Sequence, residues 1–305
     1  ELWLLHGLSA TQVLLFGSRF PAYVLPWAHL GLGLASQLLG HWLIRRDAQR
    51  RSLVCFQVIP LLWAGLAGLS RWNRFTPWTG VITLGMAWIA LQVGRSKRDP
   101  DQPSGWQGWS YVALGGFTLG LAELIAYPLR DNLGLIPLTW AGLGGALAIV
   151  YRYLTPQSLS AYLNIPIRHL RQLGHLHWGL STGLMGLLFL AHLDTPNGPP
   201  ELTVSIGVLL ILYALVQARQ TLSEDNAVVW TYGSYLHLSG LFLYGWTIAP
   251  ELWQEGFKAW GLAIVAPLGV LSYLLPWQRW GWVASPWQQV GVARSEERRV
   301  GKECV

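Results

Sequence analysis

The chain has 305 residues, 52% of them hydrophobic and 12% charged, with 19 tryptophans and 34 glycines. Soluble domains carry about twice that charged fraction, so composition excludes an ordinary soluble enzyme. The net charge of +6 comes with no nucleic-acid motif and lies in short loops between apolar runs, where it reads as a topology signal and not as a nucleic-acid surface.

A membrane-spanning helix needs about 20 mostly apolar residues. Charged and Pro/Gly-rich breaks divide residues 1–292 into ten such segments: 2–16, 22–44, 53–70, 77–94, 106–128, 133–154, 173–193, 202–218, 227–248 and 256–275. The runs are too long for strands and do not alternate with period two. The expected fold class is therefore an all-α integral membrane protein of ten transmembrane helices, with residues 1–292 as a polytopic domain. Glu1 opens the chain inside an apolar run, so the expected native N-terminus lies upstream.

Span two carries His29, Gly33, Gln37 and His41 at every fourth residue, a slowly drifting stripe expected to face the bundle interior. Two histidines on one helix can hold two haems only if they point the same way. His29 and His41 are twelve residues apart, which leaves them about 120° out of phase. Haem fits poorly, and without an HxxxH or HExxH turn so does zinc; no cofactor is assigned. Cys55 and Cys304 have no CxxC spacing, so neither a disulfide framework nor a zinc site is read. Pro60 in span three and Pro267 in span ten each remove a helical hydrogen bond and predict kinks.

Glu123 in span five, within LAELIAYPLR, is the acidic residue that falls well inside an apolar run. His29, at a similar depth, and Arg130, seven residues on, compete as its partner. A buried carboxylate beside a histidine can bind a cation or pass a proton, and one beside a fixed base holds helix order.

Span six contains WAGLGGALA from Trp140, which matches WAHLGLGLA from Trp27 at six of nine positions. The match suggests a duplicated unit of four helices, a plan used by transporters and scaffolds alike. Glycines at 115, 116 and 120, at 142–145, and at 179, 183 and 186 are expected to let helices approach closely. After span six, Thr155–Pro156 and Asn164 ahead of Pro166 are helix-start signals. They predict a short surface helix and then a fresh one entering the bilayer. On the latter Arg168, Arg171, Gln172 and His175 share a side with Gly179 and Thr182, a stripe suited to an anionic headgroup or phosphorylated ligand at the inner leaflet. His175 and His177 point about 160° apart, so one at most serves a given ion, and the polar stripe selects His175. His169 reads as a headgroup-level residue and Trp178 as part of an interface belt. On span nine Trp230, Gly233, Ser234, His237 and Gly240 share a face, and mid-span His237 requires a hydrogen-bond partner from a neighbouring helix.

Basic residues cluster on alternate loops, Arg45, Arg46, Arg50, Arg51, Arg95, Lys97, Arg98, Arg152, Arg168, Arg171, Arg219 and Arg279 on one side. By the positive-inside rule both termini are cytoplasmic. Tryptophans 27, 42, 72, 78, 106, 109, 246, 253, 260, 277, 280 and 282 fall at span ends as interface belts. Residues 293–305, ARSEERRVGKECV, resemble translated adaptor or vector sequence and are expected to be a non-native tail.

Among function classes, ten spans, kinks and isolated intramembrane polar groups favour a small-solute or ion transporter or permease-like protein, not an enzyme. The alternative is a non-enzymatic scaffold or assembly factor that binds haem or pigment through histidines. The candidate intramembrane site is His29, Gln37, His41, Glu123 and His237. Expected partners are the lipid bilayer, a small solute or ion, and other membrane proteins. In Leu/Trp/Gln/Pro usage the chain is similar to multi-span proteins of cyanobacteria, which implies a bacterial plasma membrane or thylakoid. In span count alone it resembles the ten-span drug/metabolite transporters, although a same-direction four-helix repeat departs from their inverted five-plus-five plan.

Overall fold

The computed structural model describes residues 11, 21, 23–46, 55–72, 74–95, 108–155, 157–191, 199–221, 223–251, 270 and 273–289. Among them the regular structure is entirely helical: α1 Leu25–Arg46, α2 Cys55–Ser70, α3 Thr79–Arg95, α4 Gly108–Ala126, α5 Leu135–Ile149, α6 Gln157–Leu163, α7 Ile167–Ala191, α8 Pro200–Gln220 and α9 Glu224–Ile248, with a 3₁₀ turn at Trp277–Trp280. Apart from residues 11, 270 and 273–275, the expected spans 2–16 and 256–275, with Pro267, lie outside the described residues.

Among the described residues three helical stretches are both long and apolar enough to cross a membrane: Gly108–Ala126, Leu135–Leu154 and Pro200–Gln220. Helices α2 and α3 have 16 and 17 residues, about 24–26 Å at 1.5 Å per residue, short of a hydrocarbon core of about 30 Å. A helix satisfies its backbone within itself, so long apolar runs fold this way in lipid.

The ends follow local chemistry. Helix α7 starts at Ile167, directly after Pro166 and six residues before the expected span, so Arg168, His169 and Arg171 belong to it. Helix α5 runs into a π-helical turn at Val150–Leu154. Asn164, at φ 55°, ends α6 in the left-handed region that asparagine tolerates; its side-chain N–H donates to the Gly94 carbonyl at 3.0 Å. Helix α9 begins at Ser223, whose hydroxyl accepts from the Asn226 amide at 3.4 Å, with Glu224 and Asp225 in the positive first turn.

Two compact units divide the chain, Glu1–Ile136 with Tyr151–Leu173, and Pro137–Val150 with Gly174–Val305. In the first, α1 packs on α2 and α3 on α4. Leu30, Ala64, Ala67, Ile82 and Ile89 form a core there, joined by Leu34, Leu61 and Met86. Pro60 is fully buried inside α2. In the second, α8 packs on α9.

Glycines set the α3–α4 approach. A Cβ on Gly80 would meet the Gly120 carbonyl at 2.6 Å and the Leu124 amide at 2.8 Å, and one on Gly116 the Ala87 Cβ at 2.8 Å. Gly142 and Gly145 likewise face Ile206 and Leu209 side chains within the second unit. The expectation fails for Gly115, Gly179, Gly183 and Gly186, where a Cβ would meet nothing within 4 Å; their spacing suited packing, but they lie off the contact face. Gly80→Ala is therefore expected to cost about 1–3 kcal/mol by overpacking against backbone that cannot move aside. Gly115→Ala should instead be neutral or gain up to about 1 kcal/mol from helix propensity. Thermal unfolding of both variants in detergent checks this; equal midpoints would refute it.

The two WA-stretches bury different positions. His29, Leu30 and Gly33 are buried in the first, but Ala141, Gly145 and Ala148 in the second. Their shared letters do not mark equivalent packing faces.

Candidate functional site

In the first unit the candidate polar residues His29, Gln37 and Glu123 each have a partner. His29 is 1% exposed. Its Nδ1 lies 3.2 Å from the Ser70 hydroxyl, and its ring stacks on Trp63 at 5.7 Å between centroids. Gln37, also buried, donates through Nε2 to the Ile89 carbonyl at 3.2 Å. His41, at the drifting end of the stripe, is exposed, which corrects the expectation that all four stripe positions face inward: at 100° per residue a four-residue spacing gains about 40° per step.

Glu123 pairs with neither His29 nor Arg130. The Arg71 guanidinium donates through one nitrogen to both carboxylate oxygens, at 2.9 and 3.0 Å, and to the Thr79 carbonyl at 3.3 Å. The Thr83 hydroxyl donates to the same carboxylate. The partner, Arg71, lies outside the expected spans. It follows the end of α2, and its long side chain carries the charge to α4, a reach that sequence depth alone does not reveal. Arg130 instead covers the Tyr127 ring at 4.4 Å and lies 3.9 Å from Asp131.

Along α7, Arg168, Arg171 and Gln172 are exposed, as a stripe offered to an anion requires. His169 hydrogen-bonds the Tyr111 hydroxyl. His175 does not stay with the stripe; its Nδ1 lies 3.0 Å from the Tyr213 hydroxyl, and its ring lies 4.9 Å from Trp230. His177 is the more buried of the two neighbours, 8% exposed.

The second unit gathers five rings from three helices: His175 and Trp178 of α7, Tyr213 of α8, and Trp230 and His237 of α9. Trp178 sits among the others, 4.9 Å from Trp230, 5.3 Å from His237 and 6.2 Å from Tyr213. Its indole N–H donates to the Leu210 carbonyl at 3.0 Å. This placement corrects its reading as an interface tryptophan: amphipathic indole also suits a helix interface that offers one acceptor. Belt positions fit better at Trp27, Trp42, Trp72, Trp78, Trp246 and Trp280, all exposed. Trp277 instead stacks on Trp287 at 4.2 Å.

Next to the rings lies a cavity of about 310 Å³ between α7, α8 and α9, with a contribution from Leu138. Met185, Phe189 and Leu241 supply apolar wall, Gly186 and Gly240 supply room, and His237 and Thr182 supply the inner polar end. Among the described residues the lining has hydroxyls but no Asp, Glu, Lys or Arg. His237 is 8% exposed and obtains its neighbouring-helix partner from Thr182, with Nε2 3.0 Å from the hydroxyl oxygen; its Nδ1 lies 2.8 Å from the Gly233 carbonyl.

Of the expected intramembrane set, the fold thus buries His29, Gln37 and His237, half-buries Glu123, exposes His41, and places a cavity at His237. Thr182 could have been assigned there, since Thr182 and His237 are each mid-helix polar residues. Tyr213 carried no signal beyond an aromatic inside an apolar run, whereas Trp230 shares a face with His237 already in the sequence. Among the described residues no group of three or more His, Cys, Asp or Glu side chains is placed to hold a metal ion. Compared with protein-family models, curated proteins and solved structures, the chain matches none.

Proposed function

We propose that this chain is a multi-span, permease-like membrane protein of about ten helices that takes a small, neutral, largely apolar solute into the cavity beside His237. The observation that carries the reading is that cavity, of about 310 Å³, apolar in its walls and polar at one inner end. Small-molecule sites have this composition, and a few placed polar groups orient the ligand. The absence of lining charge favours a neutral solute over an ion. Leu236 and Leu243, which line the cavity, are also exposed, at 64% and 50%, an apolar rim suited to entry from lipid. The His29, Gln37 and Glu123 sites support this division of labour, because each side chain is already held by partners.

Gly186 and Gly240 line the cavity, and a Cβ on either meets nothing within 4 Å, so Gly186→Leu and Gly240→Leu fill it without displacing backbone. Protein purified from its own membrane into nanodiscs is expected to release, on organic extraction, roughly one neutral small molecule per chain. The two variants should lower that yield at least about tenfold at unchanged thermal stability. Equal yields from all three proteins would sink the reading. A visible absorption band lost with His175 or His237 would move it to a pigment- or haem-binding scaffold.

A further inference from the structure

His237 and Thr182 form a hydrogen-bond set that lacks one proton. The Gly233 carbonyl can only accept, so the bond at 2.8 Å places the proton of a neutral His237 on Nδ1. Nε2 is then a bare acceptor, 3.0 Å from the Thr182 hydroxyl. That hydroxyl also lies 2.8 Å from the Trp178 carbonyl, a second group that can only accept. Thr182 has one proton for two acceptors. An imidazolium would supply the missing proton, but among the described residues no acidic side chain lines the cavity to offset its charge. The His237 end of the cavity thus offers an incoming molecule an acceptor, and the hydroxyls of Thr203, Ser239, Tyr244 and Thr247 also line it.

We infer that the solute is an uncharged amphiphile with a hydroxyl at its polar end, which can donate to the His237 acceptor. This rests on the proposed solute-binding role of the cavity. The ligand hydroxyl donates to Nε2 of His237, and Thr182 turns its proton to the Trp178 carbonyl, so that all three bonds are made. At about 30 Å³ per water-sized group, the volume holds a chain of roughly ten heavy atoms. An isomeric ether fits the same walls but leaves the set short of its proton.

The test uses the full chain in nanodiscs with a photoreactive decanol that carries a mid-chain diazirine, labelling being mapped to peptides of α7 and α9 by mass spectrometry. Unlabelled 1-decanol and its isomer methyl nonyl ether compete, with empty nanodiscs correcting for partition into lipid. The alcohol is expected to compete about tenfold better than the ether, the worth of one neutral hydrogen bond. In the isosteric Thr182→Val variant the preference should persist, because Nε2 then depends wholly on the ligand. In the double variant Thr182→Val, His237→Phe it should fall to about onefold, with an unaltered thermal unfolding midpoint as the control for folding. Equal competition by alcohol and ether in the unaltered protein would overturn the hydroxyl assignment and leave the cavity's role standing. Failure of the probe to label α7 or α9 would overturn both.

Discussion

Glu123→Leu is expected to destabilise the first unit by about 3–5 kcal/mol, the cost of leaving a buried charge without its partner. The Arg71 and Glu123 side chains are 16% and 15% exposed, so loss of the carboxylate strands a guanidinium that water reaches poorly. The Thr83 hydroxyl loses its acceptor on Glu123 but keeps the Thr79 carbonyl at 3.0 Å. Most of the effect must therefore come from Arg71. Glu123→Gln, which keeps an acceptor oxygen but not the charge, should fall between. The double variant Arg71→Met, Glu123→Leu should recover most of the loss, because removal of both charges also removes the desolvation penalty. Unfolding in detergent, followed for the two single variants and the pair, yields the coupling. If Glu123→Leu alone were as stable as the parent protein, the pair would be no more than a surface contact of about 0–1 kcal/mol, as expected for Arg130 and Asp131.

Trp178→Ala should cost about 3 kcal/mol in the second unit, the lower end of the range for removing a core aromatic, because the ring is only partly buried. Its ring touches partners from α8 and α9 at once, and Gly233 is kept small by it: a Cβ there would meet the indole at 3.1 Å. Trp178→Phe separates the contributions. It retains much of the ring contact and loses the bond to the Leu210 carbonyl, so about 1 kcal/mol should go. Were the alanine and phenylalanine variants equally stable, the ring contacts would contribute little and the hydrogen bond nearly everything. Trp280→Ala serves as the exposed comparison, at 47% exposure.

Much of the architecture was readable in one dimension because its cause is local. The apolar runs become helices wherever the chain is described, and the starts at Gln157 and Ile167 sit where proline and capping chemistry place them. Distances across helices were not readable. Glu123 was assigned to His29 or Arg130 from depth and helical phase, and the partner proved to be Arg71, because a side chain of several ångströms can come from a loop that periodicity does not weigh. His175 and Trp178 were assigned to a surface stripe and an interface belt on type and position. Both lie against Tyr213 and Trp230, since which face of α7 is inward depends on where α8 and α9 run.

By itself the sequence determined that this is a helical protein with stretches fit for lipid, because hydrophobic length and backbone self-satisfaction are properties of single segments. It also singled out His29, Gln37, Glu123 and His237 as polar residues needing partners, since desolvation cost depends only on the group and its surroundings. Only the tertiary structure decided which partners they have: three of the four are closed within the first unit, and the fourth stands at the end of a cavity. That outcome depends on gaps between helices, which arise where small residues such as Gly186 and Gly240 face no neighbour, and packing of that kind is a relation between segments that no single segment encodes.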